Sequence, residues 1–428
     1  MAREMKDSGV EWIGEIPRDW KYVRLKHFYE FEKGKNAAQY TQEYIGLHSG
    51  NYPVYSGQTE NSGIMGEIDT FDYDITECLF TTTVGAKVMT PKILCGKFSL
   101  SQNCLIMKQI KKCNNKFFYY ILFPLFDYEK SLIPTYMQPS LRMEDLKKYA
   151  FFIPVESEQQ KIANFLDKKC SELDNILSRT QASIEEYKKL KQAVITRAVT
   201  KGIRGDREMK DSGIEWVGEI PKEWHVKKLR YLGGCQNGIS KSSEYFGEGY
   251  PFVSYGDVYR NYQLPEMVRG LVMSTDNDRE NYSVIRGDVL FTRTSETIEE
   301  VGFSCVCLKT IEHATFAGFV IRFRPNSDEL LPEYSKYYFR SDMHRRFFVK
   351  EMNLVTRASL GQELLKKLPV ILPPLQEQQE IANYLEKQCG EIDGIIAKKN
   401  QYITELESYK KSLIYEYVTG KKEVPQEY

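Results

Sequence analysis

The chain repeats itself, and that duplication limits what it can fold into. Residues 3–20 read REMKDSGVEWIGEIPRDW and residues 207–224 read REMKDSGIEWVGEIPKEW, identical at 14 of 18 positions with an offset of 204. A second repeat runs for 43 positions without a gap at an offset of 219. In it Glu158-Gln159-Gln160 returns as Glu377-Gln378-Gln379, Cys170 as Cys389 and Val199-Thr200 as Val418-Thr419. Between the two repeats the copies diverge, and the second is longer by 15 residues, the difference between the offsets of 219 and 204. The ends of the module were kept while its middle changed.

The second repeat reads as a helix. From Glu158 to Thr200 there is no Gly or Pro, and apolar residues recur at heptad spacing, the pattern of a helix that packs along another helix. One seam holds Ala163, Cys170, Leu177, Ile184 and Ala198, and its companion Leu166, Leu173, Tyr187 and Val194. The later copy gives Ala382, Cys389, Ile396, Ile403 and Tyr417, with Leu385, Ile392, Leu406 and Leu413. Polar interruptions coincide as well, Lys191 with Lys410 and Thr180 with Lys399, and such residues fix register at some cost in stability. Each helix follows a proline stop, at Pro154 or Pro373-Pro374, and starts acidic. At about 1.5 Å per residue each would reach roughly 60 Å. The simplest arrangement is an antiparallel pair within one chain; pairing between chains is the alternative.

Residues 21–150 and 225–369 carry short β-branched and aromatic runs between Gly, Asn and Asp turns, as in Cys78–Thr81 and Asp288–Thr292, which predicts mixed sheet with a few helices. Each module should close with a short helix beginning at Ser140-Leu141 or Ser359-Leu360, the second with a Ser359/Gln362 capping box. The expected fold is α+β, with two mixed modules, two long helices forming an antiparallel coiled coil, and pseudo-twofold tandem symmetry. Its divisions are 1–155, 156–201, 202–374 and 375–428. Turns such as 52–58 and 293–295 are rich in Tyr, Arg, Gln and Thr, which suit phosphate and base-edge contacts and equally suit solvated loops.

Bulk properties exclude several classes. Hydrophobic residues at 42% and charged residues at 28% fit a globular chain. Lys+Arg and Asp+Glu both number 59, so there is no net basic footprint, and any nucleic-acid contact needs local patches or a partner's charge. Nine scattered cysteines show no zinc spacing and read as reduced thiols. The longest apolar run, Tyr119 to Phe126, is too short to span a bilayer, and the N-terminus has no apolar signal segment, so a cytoplasmic protein is expected. No phosphate loop, dinucleotide fingerprint, HExxH or GxSxG occurs, and His27, His48, His225, His313 and His344 sit in unrelated contexts. No catalytic residue and no metal ligand is expected.

The opening Gly-x-Ile-Pro-x-x-Trp, Gly14–Trp20 and Gly218–Trp224, with the exit Ser-Leu … Pro … Glu-Gln-Gln-x-Ile-Ala, resembles the specificity subunit of type I restriction-modification enzymes over essentially the whole chain. The resemblance implies a non-catalytic DNA-specificity subunit. Each variable target-recognition domain would read one half of a bipartite, asymmetric site in double-stranded DNA, and the helices would fix the spacer. It also implies two methyltransferase subunits that use S-adenosylmethionine and motor-nuclease subunits that use ATP and Mg, with no cofactor in this chain. Two readers on one side of a duplex stand roughly 34 Å apart, within reach of such helices. The alternative is a coiled-coil scaffold that binds only proteins.

The resemblance places DNA-facing loops in the variable modules. By position, the candidates are Tyr55, Gln58, Thr82, Lys87, Tyr136 and Gln138 in the first, and Tyr255, Arg260, Arg293, Thr294 and Arg357 in the second. The helix seams are expected to hold Leu166, Cys170, Leu173, Leu177, Ile184, Leu385, Cys389, Ile392, Ile396 and Ile403.

Overall fold

A computed structural model describes residues 3–58, 61–85, 87–295, 300–351 and 358–425. The chain forms two compact units: 1–181 with 400–428, and 182–399.

In the first unit, six strands line up in the order Tyr29–Lys33, Cys104–Gln109, Tyr73–Thr82, Pro91–Leu100, Ser49–Tyr55 and Ile64–Ile68. All pairs are antiparallel except Ser49–Tyr55 with Pro91–Leu100. Side chains alternate across a strand, and Tyr73–Thr82 uses both faces. Leu79 enters a core with Phe117, Phe118 and Phe126 of the helix Asn115–Ser131. Cys78 and Phe80 enter a second cluster with Leu94, Phe98 and Ile106. The apolar run at Tyr119 therefore belongs to a core helix, and among the described residues no helix is long and apolar enough to cross a membrane.

The second unit repeats this plan on a different sequence. Four strands run in the order Gly233–Asn237, Val320–Pro325, Val289–Thr292 and Ser304–Val306, beside a set of three, Leu271–Val272, Phe246–Val253 and Thr315–Phe316. Val289 and Phe291 face one core and Leu290 the other, the same alternation as in the first unit.

The long helices span Glu156–Lys201 and Leu375–Val418. Within the first unit Phe165 meets Tyr417 at 4.5 Å between ring centroids and Asp174 meets Lys410 at 2.6 Å, so the two chains of residues run in opposite directions there. Within the second unit Tyr187 lies under Lys399 and Lys191 pairs with Asp393 at 2.6 Å, again antiparallel. Leu166, Cys170, Leu173, Ile184, Leu385, Cys389 and Ile392 are buried, whereas Leu177, Ile396 and Ile403 are half-buried.

The exits from the modules differ from expectation. Helix begins at Met143 and Gln362, not at the Ser-Leu pairs, and Gly361 occupies the cap position, so the Ser359 capping box does not form. The Ser-Leu backbones are used elsewhere. Leu141 N–H donates to Thr83 at 2.8 Å and Leu360 N–H to Arg293 at 2.7 Å, while Ser140 and Ser359 bridge Val84 and Thr294. A cap residue is itself extended, but here the backbone stays extended through Arg142 and Gly361, two residues beyond each serine, so no helix can start directly after Ser140 or Ser359. In the first copy Asp145 accepts from Arg142 N–H instead, at 3.0 Å.

Candidate nucleic-acid interface

In the first unit the strands Ser49–Tyr55 and Tyr73–Thr82 run in opposite directions, and the turn at 101–103 brings their C-terminal residues together at this end of the sheet, Ser101 N–H donating to Tyr55 and Thr83 N–H to Asn103. Tyr55 ends its strand half-buried, with its ring 5.9 Å from Phe80 and 6.0 Å from Phe98, and burial pushes its hydroxyl up. Gln58 anchors its amide on the Ile64 carbonyl, and the buried Thr82 hydroxyl donates to the Lys87 carbonyl. These two bonds hold the flanking loops rather than expose the groups that make them. Tyr55, Gln58, Thr82 and Lys87 together line a cleft of about 520 Å³.

Lys92, which the sequence reading passed over, reaches the same cleft from the next strand and donates to the Ser62 carbonyl. Burial, and then the neighbouring Lys87 cation, lower its ammonium. A second cleft of about 570 Å³ lies across Gln58, lined also by Gly57, Val84, Gln102 and Asn103. Tyr136, 86% exposed, and Gln138 stand in the segment leading to Ser140 and line neither cleft.

In the second unit Ser254 caps the short helix Tyr255–Arg260 in a reciprocal box with Asp257. Tyr255 stacks on Tyr259 at 6.0 Å and donates its hydroxyl to the Thr294 carbonyl at 2.8 Å, and burial raises it. Tyr259 and Ser295 both donate to Glu300, at 2.7 and 3.2 Å. Tyr255, Arg293 and Thr294 are thus brought together, while Arg260 is exposed at the far end of the helix. Arg357 lies outside the described residues.

Backbone register identifies equivalent positions in the two units. Tyr55 pairs in parallel with Leu100 as Val253 does with Phe316, which aligns Ser56 with Ser254 and Gly57 with Tyr255. Thr82 pairs with Cys104 as Thr292 does with Val320. One residue further, Thr83 N–H donates to Asn103 and Arg293 N–H donates to Phe319, at 2.8 and 2.9 Å. The chosen tyrosines, Tyr55 and Tyr255, therefore do not correspond, and Asn103 and Phe319 were missed. No local motif marks these two; their equivalence exists only through pairing between distant strands.

The arrangement offers hydrogen-bonding, cationic and aromatic side chains at one sheet end. Among the described residues no group of three or more His, Cys, Asp or Glu is placed to hold a metal ion. Residues 17–186 and 221–405 match the Type I restriction modification DNA specificity domain. The chain is 24% identical over 421 residues to the type I restriction enzyme MjaVIII specificity subunit of Methanocaldococcus jannaschii, covering 95% of this chain and 93% of that one. It is also 24% identical to the putative MjaX specificity subunit of the same organism, covering 96% and 95%. A solved structure from work on complex assembly and conformational transition of the type I R-M system shares the fold, with a TM-score of 0.67 at 14% identity, covering 95% of this chain and 99% of that chain.

Proposed function

The chain belongs to the type I restriction modification DNA specificity domain family, and we propose that its two modules each read one half of a split DNA site while the long helices set the spacer. It acts as a DNA sequence-specificity subunit and leaves catalysis to its partners. Two methyltransferase subunits with S-adenosylmethionine, and motor-nuclease subunits with ATP and Mg, complete the enzyme in the cytoplasm. The divisions 1–155, 156–201, 202–374 and 375–428 correspond to reader, helix, reader and helix with its tail.

One observation carries this reading. The two units keep the same strand pairing up to the sheet end, yet the residues placed there differ: Gly57 against Tyr255, the buried Thr83 against Arg293, and the exposed Asn103 against the exposed Phe319. Base edges are told apart by donor, acceptor and methyl patterns, so two different half-sites call for two different sets of side chains on one frame. A duplication kept for packing alone would not need them.

The test is reconstitution with methyltransferase subunits and mapping of methylated adenines on a library of random DNA. A split motif with an unspecified centre is expected. Binding to the partner subunits with no sequence-specific footprint would favour the protein-only scaffold and overturn the proposal.

A further inference from the structure

Both units carry a three-residue turn in the same place, Ser101-Gln102-Asn103 and Ala317-Gly318-Phe319. Each turn enters from a strand end in parallel pairing, and Ser101 and Ala317 donate to the carbonyls of Tyr55 and Val253 at 2.9 and 3.1 Å. Each leaves by offering its third carbonyl to the backbone N–H of Thr83 or Arg293.

A glycine pair fixes the height of both turns. Gly34 and Gly238, separated by the same 204 residues as the opening repeat, each follow the first strand of their sheet. A Cβ at Gly34 would come within 2.3 Å of the Leu100 carbonyl oxygen, and one at Gly238 within 2.1 Å of the Phe316 oxygen. Such close backbone approach admits only glycine. The scaffold of the turn is thus held from three sides in both units, while its third residue has changed completely.

Asn103 is exposed in the left-handed region at φ 66°, a conformation Asn tolerates, beside the cleft that Gln58 and Gln102 line. Phe319 is 64% exposed on a turn whose carbonyl is bonded to Arg293. Resting on the two-reader proposal, we infer that Asn103 and Phe319 are the paired specificity-determining residues of the two modules. Asn103 takes an adenine through its carboxamide, which matches the N6/N7 edge, and Phe319 packs on a thymine methyl.

The test uses the full chain assembled with its methyltransferase subunits, and reads methylation across a random DNA library. Asn103→Gly keeps the backbone at ease at positive φ while removing the amide. It should relax preference at one position of one half-site by roughly ten-fold, with the other half-site unchanged. Phe319→Ala should do the same in the opposite half-site, and Phe319→Leu should restore part of it. A uniform loss over all sequences, or an unchanged motif in both variants, overturns the assignment. A wild-type complex without a split motif would overturn the two-reader proposal together with this one, and the unsubstituted control tells the two failures apart.

Discussion

Trp224 donates its indole Nε1–H to Glu377 at 2.9 Å, tying the end of the opening repeat to the first turn of the second long helix. Arg207 closes on the same carboxylate, and the Glu377 side chain is 3% exposed. In the first unit Arg3 grips Glu158 at 2.6 Å, but Glu158 is 26% exposed and Trp20 Nε1 has no partner among the described residues. Burial raises Glu377, and the bonds from Arg207 and Trp224 outweigh it, so the carboxyl lies below its ordinary 4.5. A depressed carboxyl contributes stability above its unfolded pKa and loses it as the pH falls through the folded one. Glu377→Gln should lower unfolding free energy by about 3 kcal/mol, because Arg207 is left half-compensated, and should blunt the acid decline below 4.5. Glu158→Gln should cost less. Urea unfolding of the three proteins at several pH values checks this, and equal losses would contradict the ranking.

A Lys92 variant would tell a phosphate contact from a base contact. Its ammonium lines the first cleft with Lys87 and, among the described residues, donates only to a backbone carbonyl, that of Ser62. Lys92→Gln should weaken binding of the reconstituted complex evenly across DNA sequences. The slope of log affinity against log salt should become shallower by about 1. A salt titration decides it; an unchanged slope would remove Lys92 from the phosphate contacts.

Swapping residues 21–150 for the equivalent segment of another such chain should alter one half-site and leave the other intact. The segment carries its own sheet, with Leu79 and Phe80 facing separate clusters, so its reading surface is built without the second unit. Methylation mapping of the chimera gives the answer, and a change in both half-sites would show that the modules do not read independently.

What the sequence discloses and what it withholds have physical causes. The duplicated ends and the long helices are legible because helix periodicity is local: Cys170 and Cys389 sit on apolar seams that can be counted without knowing any partner. The sheet ends are not legible in this way. Ser359 looks like a helix cap beside Gln362, but its backbone pairs with Thr294, 65 positions away, and that pairing wins. Asn103 and Phe319 are equivalent only because Thr83 and Arg293 bond to them, each across the sheet of its own unit. Lys92 was overlooked because a lysine inside a strand has no local signature of the cleft it enters. Gly34 and Gly238 were visible as glycines, yet the carbonyls that forbid a side chain there come from residues 66 and 78 positions downstream.

The reciprocal pairs Lys191–Asp393 and Lys410–Asp174 give the helices a register that can be tested. Each lysine occupies a seam position of one helix and meets an aspartate of the other at 2.6 Å, once in each unit. A slip by one heptad would move each lysine about 10 Å from its partner, whereas the apolar seams alone would repack. Removing one heptad from the middle of both helices keeps the seam facing and keeps both pairs, while shortening the rods by about 10 Å. At about 3.4 Å per base pair, the accepted spacer should shorten by about three base pairs, or modification should be lost where the rotated duplex no longer meets both readers. Removing a heptad from one helix alone sets the pairs out of step and should lower stability instead. Methylation mapping on libraries with spacers of graded length distinguishes these outcomes. A deletion that changes the sequence read in either half-site would mean that the helices do more than hold distance.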